Sequence, residues 1–305
     1  MLWLIYAFLS AVFLGCYDSF KKKTLADNAV IPVLFLNTLF CSLLFLPMIV
    51  LSYQTDFLDG TPFHVARGGW MEHRYLILKS ALVLSSWICG YFAIKHLPLT
   101  IAGPINATRP VMVLVGALLI FGEQLNAFQW IGVALSILSF FMLSRSGKKE
   151  GIDFRHNAWI LLIVLAAMLG ALSALYDKYL MAGTQDGGLG IDRMLVQSWY
   201  NIYQCLMMGI ILLVLWWPKH RQTTPFRWDW GIIGVSLFLS VADFLYFYAL
   251  TIPDALLSVM SMVRRGSVVV TFLFGALFFH EHNLKAKAFD LFLVLLGMLF
   301  LYFGS

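Results

Sequence analysis

Residues 255–279 read ALLSVMSMVRRGSVVVTFLFGALFF. A run of this length can cross a bilayer, which takes about 20 apolar residues in an α-helix. Arg264 and Arg265 are its only charges, and they fall near its middle. A charge at that depth costs about 2.5 kcal/mol even on the mildest scale. A residue kept there faces a cavity, pairs with an acid, or holds an anionic ligand. The stretch therefore points to a helical membrane protein with a polar interior.

The rest of the chain agrees with that reading. Of 305 residues, 61% are hydrophobic and 12% are charged, against about 25% charged in a soluble domain. Little sequence is left for a separate soluble domain. The basic residues are scattered between apolar runs and form no patch, which speaks against nucleic-acid binding despite a net charge of +5. Cys16, Cys41, Cys89 and Cys205 lie in apolar runs without a CxxC pair and read as small packing residues. Residues 2–16 are apolar but follow no basic region, so they read as the first span and not as a removed signal.

Apolar runs of spanning length predict helices over 2–20, 30–52, 75–95, 100–121, 128–144, 158–181, 194–217, 230–250, 255–279 and 286–303. Tryptophans at their ends, among them Trp70, Trp130, Trp217, Trp228 and Trp230, fit an interfacial belt. The two halves echo each other in order. Leu2, Ala7, Tyr17 and Asp18 correspond to Leu161, Ala166, Tyr176 and Asp177. Ser85, Tyr91, Phe92, Pro98 and Arg109 correspond to Ser240, Tyr246, Phe247, Pro253 and Arg264. The expected fold is an all-α integral membrane protein, with ten transmembrane helices as two inverted five-helix repeats. Such repeats place a substrate site near the midplane where they meet.

The layout, with Phe121-Gly122-Glu123, Gln129-Trp130-Ile131-Gly132 and the echo Phe279-His280-Glu281, resembles the drug/metabolite transporter superfamily in its ten-helix EamA-type form. The resemblance covers the whole chain. It implies one repeat over residues 1–146, a linker over 147–157 and a second repeat over 158–305. Val263-Arg264-Arg265-Gly266-Ser267-Val268-Val269-Val270 also resembles the ninth helix of the triose-phosphate translocator branch. In that branch a Lys-Arg pair contacts substrate phosphate. Arg264 and Arg265 occupy those places, with Arg for Lys at the first, which keeps the charge and changes the geometry.

Arg109 and Arg264 each lie the same distance beyond a helix-opening proline, roughly 16 Å along the axis at 1.5 Å per residue. Arg109, Arg264 and Arg265 are thus the candidate substrate-binding residues, converging on one cavity. Asp243 is the one acid read as central, either an ion-pair partner of Arg264 or a group that couples transport to protons. Tyr17, Asp18, Lys22, Tyr176 and Asp177 are candidate pathway residues. Lys21, Lys22 and Lys23 read first as an interfacial anchor, with Asp18 in reach of Lys21 or Lys22 at i+3 and i+4. His280-Glu281-His282 is no metal signature, because neighbouring residues do not share a helix face.

The expected function is secondary transport of a small metabolite by alternating access, with an anionic or phosphorylated substrate. Export of amino acids or other neutral metabolites or drugs is the alternative. The expected partners are a small-molecule metabolite and the lipid bilayer, with oligomeric state open. A membrane enzyme is a remote third reading. Asp56-Phe57-Leu58-Asp59-Gly60 begins like a phosphotransferase motif but lacks its continuation. No G-x-S-x-G, HExxH or P-loop occurs, so neither a nucleophile elbow, a zincin site nor ATP-driven pumping is expected, and no cofactor. The bacterial inner membrane is the expected location. Lysine and arginine are denser on the side of the 1–2 and 7–8 loops, which the positive-inside rule reads as both termini outside. The resemblance implies both termini in the cytoplasm.

Overall fold

The computed structural model describes residues 2–109, 111–112, 126–128, 130–132, 134–135, 137–138, 142, 156–181, 183–184, 188–250, 263–264, 266–278 and 284–303. Among these, regular structure is helical and no strand occurs. The helices are α1 (Leu2–Leu25), α2 (Val30–Gln54), α3 (Trp70–His96), α4 (Leu99–Ala107), α5 (Ala158–Met181), α6 (Arg193–Ile211), α7 (Gly231–Leu250), α8 (Ser267–Leu277) and α9 (Leu284–Phe303). Six helices of the described residues are long and apolar enough to cross a membrane: α1, α2, α3, α5, α6 with its extension to Lys219, and α7.

This corrects the expectation of ten spanning helices in two inverted five-helix repeats. The helix expected over 100–121 begins as α4, which a turn interrupts at Thr108, whose hydroxyl donates to the Ile105 carbonyl at 2.7 Å; Arg109 and 111–112 are helical again, and 110 and 113–121 lie outside the described residues. The run at 255–279 is described from residue 263 and is not one unbroken helix. The chain turns at Gly266, whose N–H donates to the Val263 carbonyl at 2.9 Å, before α8 starts. A Cβ on Gly266 would stand 2.8 Å from that carbonyl, so the tight turn favours glycine. Arg264 thus sits just before a helix break. Of the run expected over 128–144, residues 129, 133, 136, 139–141 and 143–144 lie outside the described residues.

Local chemistry sets the ends of the spans. Asp192 caps α6 by accepting from the Leu195 N–H at 2.9 Å. The far end of α6 loosens into a π turn, Leu212–Trp216, and a 3-10 turn, Trp217–Lys219, that contains Pro218. Between α1 and α2 the chain reverses through Asp27 at φ 50°, a left-handed conformation that aspartate tolerates better than most residues. Trp70, Trp217 and Trp230 stand exposed at helix ends, as an interfacial belt requires.

Helices pair across the chain. α1 packs on α7, α2 on α6, α3 on α5, and α4 on α8. Exchanging the first four helices for the next four returns the same set of pairs. Three of these contacts carry a serine bonded to a carbonyl of the partner helix. Ser10 donates to Ala242 at 2.6 Å, Ser42 to Asn201 at 2.8 Å and Ser86 to Ala166 at 2.8 Å. Small residues allow this approach, as is usual where lipid supplies no hydrophobic drive between helices. Ala7 and Ala11 flank Ser10, and all three are buried. Gly15 and Gly103 bring α1 and α4 against α8, where a Cβ would meet Val270 and Val268 at under 3 Å.

Candidate functional site

The paired helices enclose a cavity of about 170 Å³. Its lining follows helical spacing. α3 contributes Lys79, Val83, Ser86, Trp87, Gly90 and Tyr91, a single stripe of repeats of three, four and seven. α1 gives Tyr17, Asp18 and Lys21; α5 gives Gly170 and Asp177; α7 gives Asp243 and Tyr246. Arg109 follows α4 and Arg264 precedes α8, and both reach the same space.

Seven charged side chains among the described residues line it: Lys21, Lys79, Arg109 and Arg264 against Asp18, Asp177 and Asp243. Three pairs form. Lys21 bonds Asp18 at 2.5 Å within α1. Lys79 pairs with Asp177, joining α3 to α5. Arg264 pairs with Asp243, joining the turn before α8 to α7. Aromatic faces shelter each of these three paired cations. Lys21 Nζ lies 4.2 Å from the Tyr17 ring centre, Lys79 Nζ 5.0 Å from that of Tyr200, and Arg264 Cζ 4.2 Å from that of Tyr246. Tyr200 donates its hydroxyl to Asp243 Oδ2 at 2.8 Å, and Tyr17 bonds Tyr91 through their hydroxyls at 3.4 Å.

Arg109 differs from the other three cations. Among the described residues no carboxylate lies within salt-bridge reach of it. Nη2 donates to Asn106 Oδ1 at 3.1 Å, while Nε is buried without a partner. Its guanidinium packs on Gly170, where no side chain intervenes. Among the described residues the lining therefore carries one cation in excess, and that cation has an unused donor in Nε.

Most residues singled out from sequence come together here. Arg109, Arg264, Asp243, Tyr17, Asp18 and Asp177 all line the cavity. Tyr176 does not; its hydroxyl donates to the Tyr75 carbonyl at 3.3 Å. Lys22 is also elsewhere, donating to the carbonyls of Ile94 and Leu97, both at 2.7 Å, so it caps the end of α3. Arg265 lies outside the described residues. Two lysines of the wall are not among the sequence candidates. Lys21, which reads from sequence as an interfacial anchor, is buried in the cavity wall, and Lys79 is 2% exposed. The signal for Lys79 was its place inside the run 75–95, one turn beyond the start. Tyr91 and Tyr246 were visible as repeat partners, but nothing in their spacing marked them as lining.

A charge-lined cavity among helices long and apolar enough to cross a membrane is the arrangement of a polytopic membrane protein. The chain belongs to the EamA-like transporter family, whose model matches residues 1–145 and 157–303. It is an integral membrane transporter of the drug/metabolite superfamily, of the secondary-active kind, and not an enzyme. An uncharacterised transporter of Pseudomonas aeruginosa is 31% identical over 135 residues, which is 43% of each chain. An uncharacterised transporter of Archaeoglobus fulgidus is 24% identical over 285 residues, covering 92% of this chain and 90% of that one. A crystal structure at 14% identity superposes with a TM-score of 0.61 over 99% of both chains, a likeness of fold alone.

Proposed function

We propose that this protein carries a small anionic metabolite, a phosphate ester or carboxylate, across the bacterial inner membrane by alternating access. The observation that carries this reading is Arg109: a buried guanidinium in the cavity wall with no acid of the described residues within salt-bridge reach. An uncompensated charge in a low-dielectric site is costly until something neutralises it, and a substrate anion does so. Arg264 supplies a second guanidinium by loosening from Asp243, and Arg265 adjoins it in sequence. The segments 1–146 and 158–305, joined by 147–157, act as the two halves that rock about the site.

One observation favours a second reading. Lys21, Lys79 and Arg264 already have acid partners, so the field is mixed in sign. A zwitterion such as an amino acid fits it, with its carboxylate on Arg109 and its ammonium near Asp18 or Asp177.

The test is uptake into proteoliposomes of labelled phosphate esters, nucleotide sugars and amino acids. Arg109→Gln and Arg264→Gln are expected to abolish uptake of the anion while the protein elutes normally in size-exclusion chromatography. Lysine at 264 rescues only in part, since it lacks the bidentate fork. Wild-type transport of an anion by both glutamine variants would refute the anion reading.

A further inference from the structure

Outside the cavity, three helices turn polar faces on one another. α2 presents Asn37 and Cys41, α6 presents Gln197, Asn201 and Gln204, and α7 presents Ser236 and Ser240, all buried. Spacings of four and seven set each group in one stripe. The stripes touch. Cys41 Sγ lies 3.8 Å from Asn37 Oδ1 and 3.6 Å from the Ser236 carbonyl, and Gln197 Nε2 donates to the Ser240 carbonyl at 3.4 Å.

These bonds leave much of the polar capacity unused. Asn37 Nδ2, Gln197 Oε1, Ser240 Oγ and both polar atoms of the Gln204 side chain are buried without a protein partner. At membrane depth no lipid group can satisfy them, so each is costly if left dry. Buried polar atoms that lack protein partners are ordinarily met by ordered water. Apolar packing does not account for two buried glutamines on one stripe, because leucine would fill the space without the penalty.

One end of the seam meets Asp243. Ser240 lies one turn before Asp243 on α7, and Tyr200, one turn after Gln197 on α6, donates to Asp243 Oδ2. We propose that the seam between α2, α6 and α7 is a second polar site that holds a file of exchangeable water reaching Asp243. Gln197 to Gln204 covers about 10 Å of helix axis, the length of about three waters at hydrogen-bond spacing. The file lets Asp243 trade protons with water when Arg264 leaves it, whatever solute the main cavity takes.

Hydroxyl-radical footprinting in oxygen-18 water marks cysteine and methionine side chains beside bound water, and it needs no substrate. Cys41 lies in the seam, and Met208 lies one turn past Gln204; they are 1% and 0% exposed. Both are expected to take up oxygen-18 in the purified wild type. Gln197→Leu and Gln204→Leu should each slow that uptake roughly fivefold or more, because the water loses its partners. If a leucine variant fails to fold, the wild type decides alone, since a dry seam leaves both residues unmodified. Unmodified Cys41 and Met208 in the wild type, or rates unchanged in both folded leucine variants, would overturn the proposal.

Discussion

Arg109 rests its guanidinium directly on Gly170: a Cβ at 170 would stand 2.7 Å from both Cζ and Nη1. A bare backbone position on α5 thus sets where the cation after α4 lies in the cavity. Gly170→Ala is expected to displace the guanidinium, which is the far end of a flexible side chain, and not to break the fold. Alanine also gains about 1 kcal/mol of helix propensity over glycine. Anion uptake should therefore fall at least tenfold, the loss of one charge-assisted hydrogen bond at ~1.5–3 kcal/mol, while the thermal midpoint in detergent holds or rises. Unchanged uptake would show that Arg109 takes no part.

The Arg264–Asp243 pair ties the turn before α8 to α7. Asp243→Asn leaves the arginine charged in a low-dielectric wall, and breaking a buried pair this way costs ~3–5 kcal/mol. The thermal midpoint should drop clearly, and adding Arg264→Gln should recover part of the loss. Strict additivity of the two substitutions would mean that the residues do not interact.

Lys79 and Asp177 test the same physics between α3 and α5. Each single change, Lys79→Met or Asp177→Leu, is expected to destabilise by ~3–5 kcal/mol. The double variant should come close to the wild type, because replacing a whole buried pair by apolar groups of similar volume is often neutral or better. A double variant no more stable than the worse single one contradicts this. Differential scanning fluorimetry in detergent reads all three.

Lys22 donates to carbonyls that α3 cannot satisfy within itself. Lys22→Met removes these bonds, a loss of ~1–3 kcal/mol for the buried carbonyls. Hydrogen–deuterium exchange should speed up at residues 94–97 and stay unchanged in the middle of α3. Uniform exchange along α3 would rule out the capping role.

Much of the site was legible in the sequence because burying a charge in a bilayer leaves few options. Arg109, Arg264 and Asp243 stood out as charges far from any helix end, and they line one cavity. Helical spacing left Lys21 and Lys22 both within reach of Asp18, and the structure pairs it with Lys21 at i+3. Charges nearer the ends could not be sorted that way. Lys21 and Lys22 are adjacent, yet one enters the cavity wall and the other caps a neighbouring helix. Their difference is the angle of one residue around α1, which apolar periodicity does not fix. The spans were harder still. Hydropathy sums over a window and ignores a turn inside it, so the break at Gly266 was invisible in a run that is apolar on both sides of it.

The pairing of early helices with late ones bears on how the protein is made. Synthesis delivers α1 to α4 to the membrane before any of their main partners exist, although domains usually fold as units in order of synthesis. Lys79 then enters the bilayer well ahead of Asp177, its counter-charge. In that interval the ammonium must stay near the headgroups or in contact with the insertion machinery, since a lone charge in lipid is expensive. A nascent chain arrested between the two residues therefore carries a cation whose counter-charge has not yet been made, and only the second half supplies it.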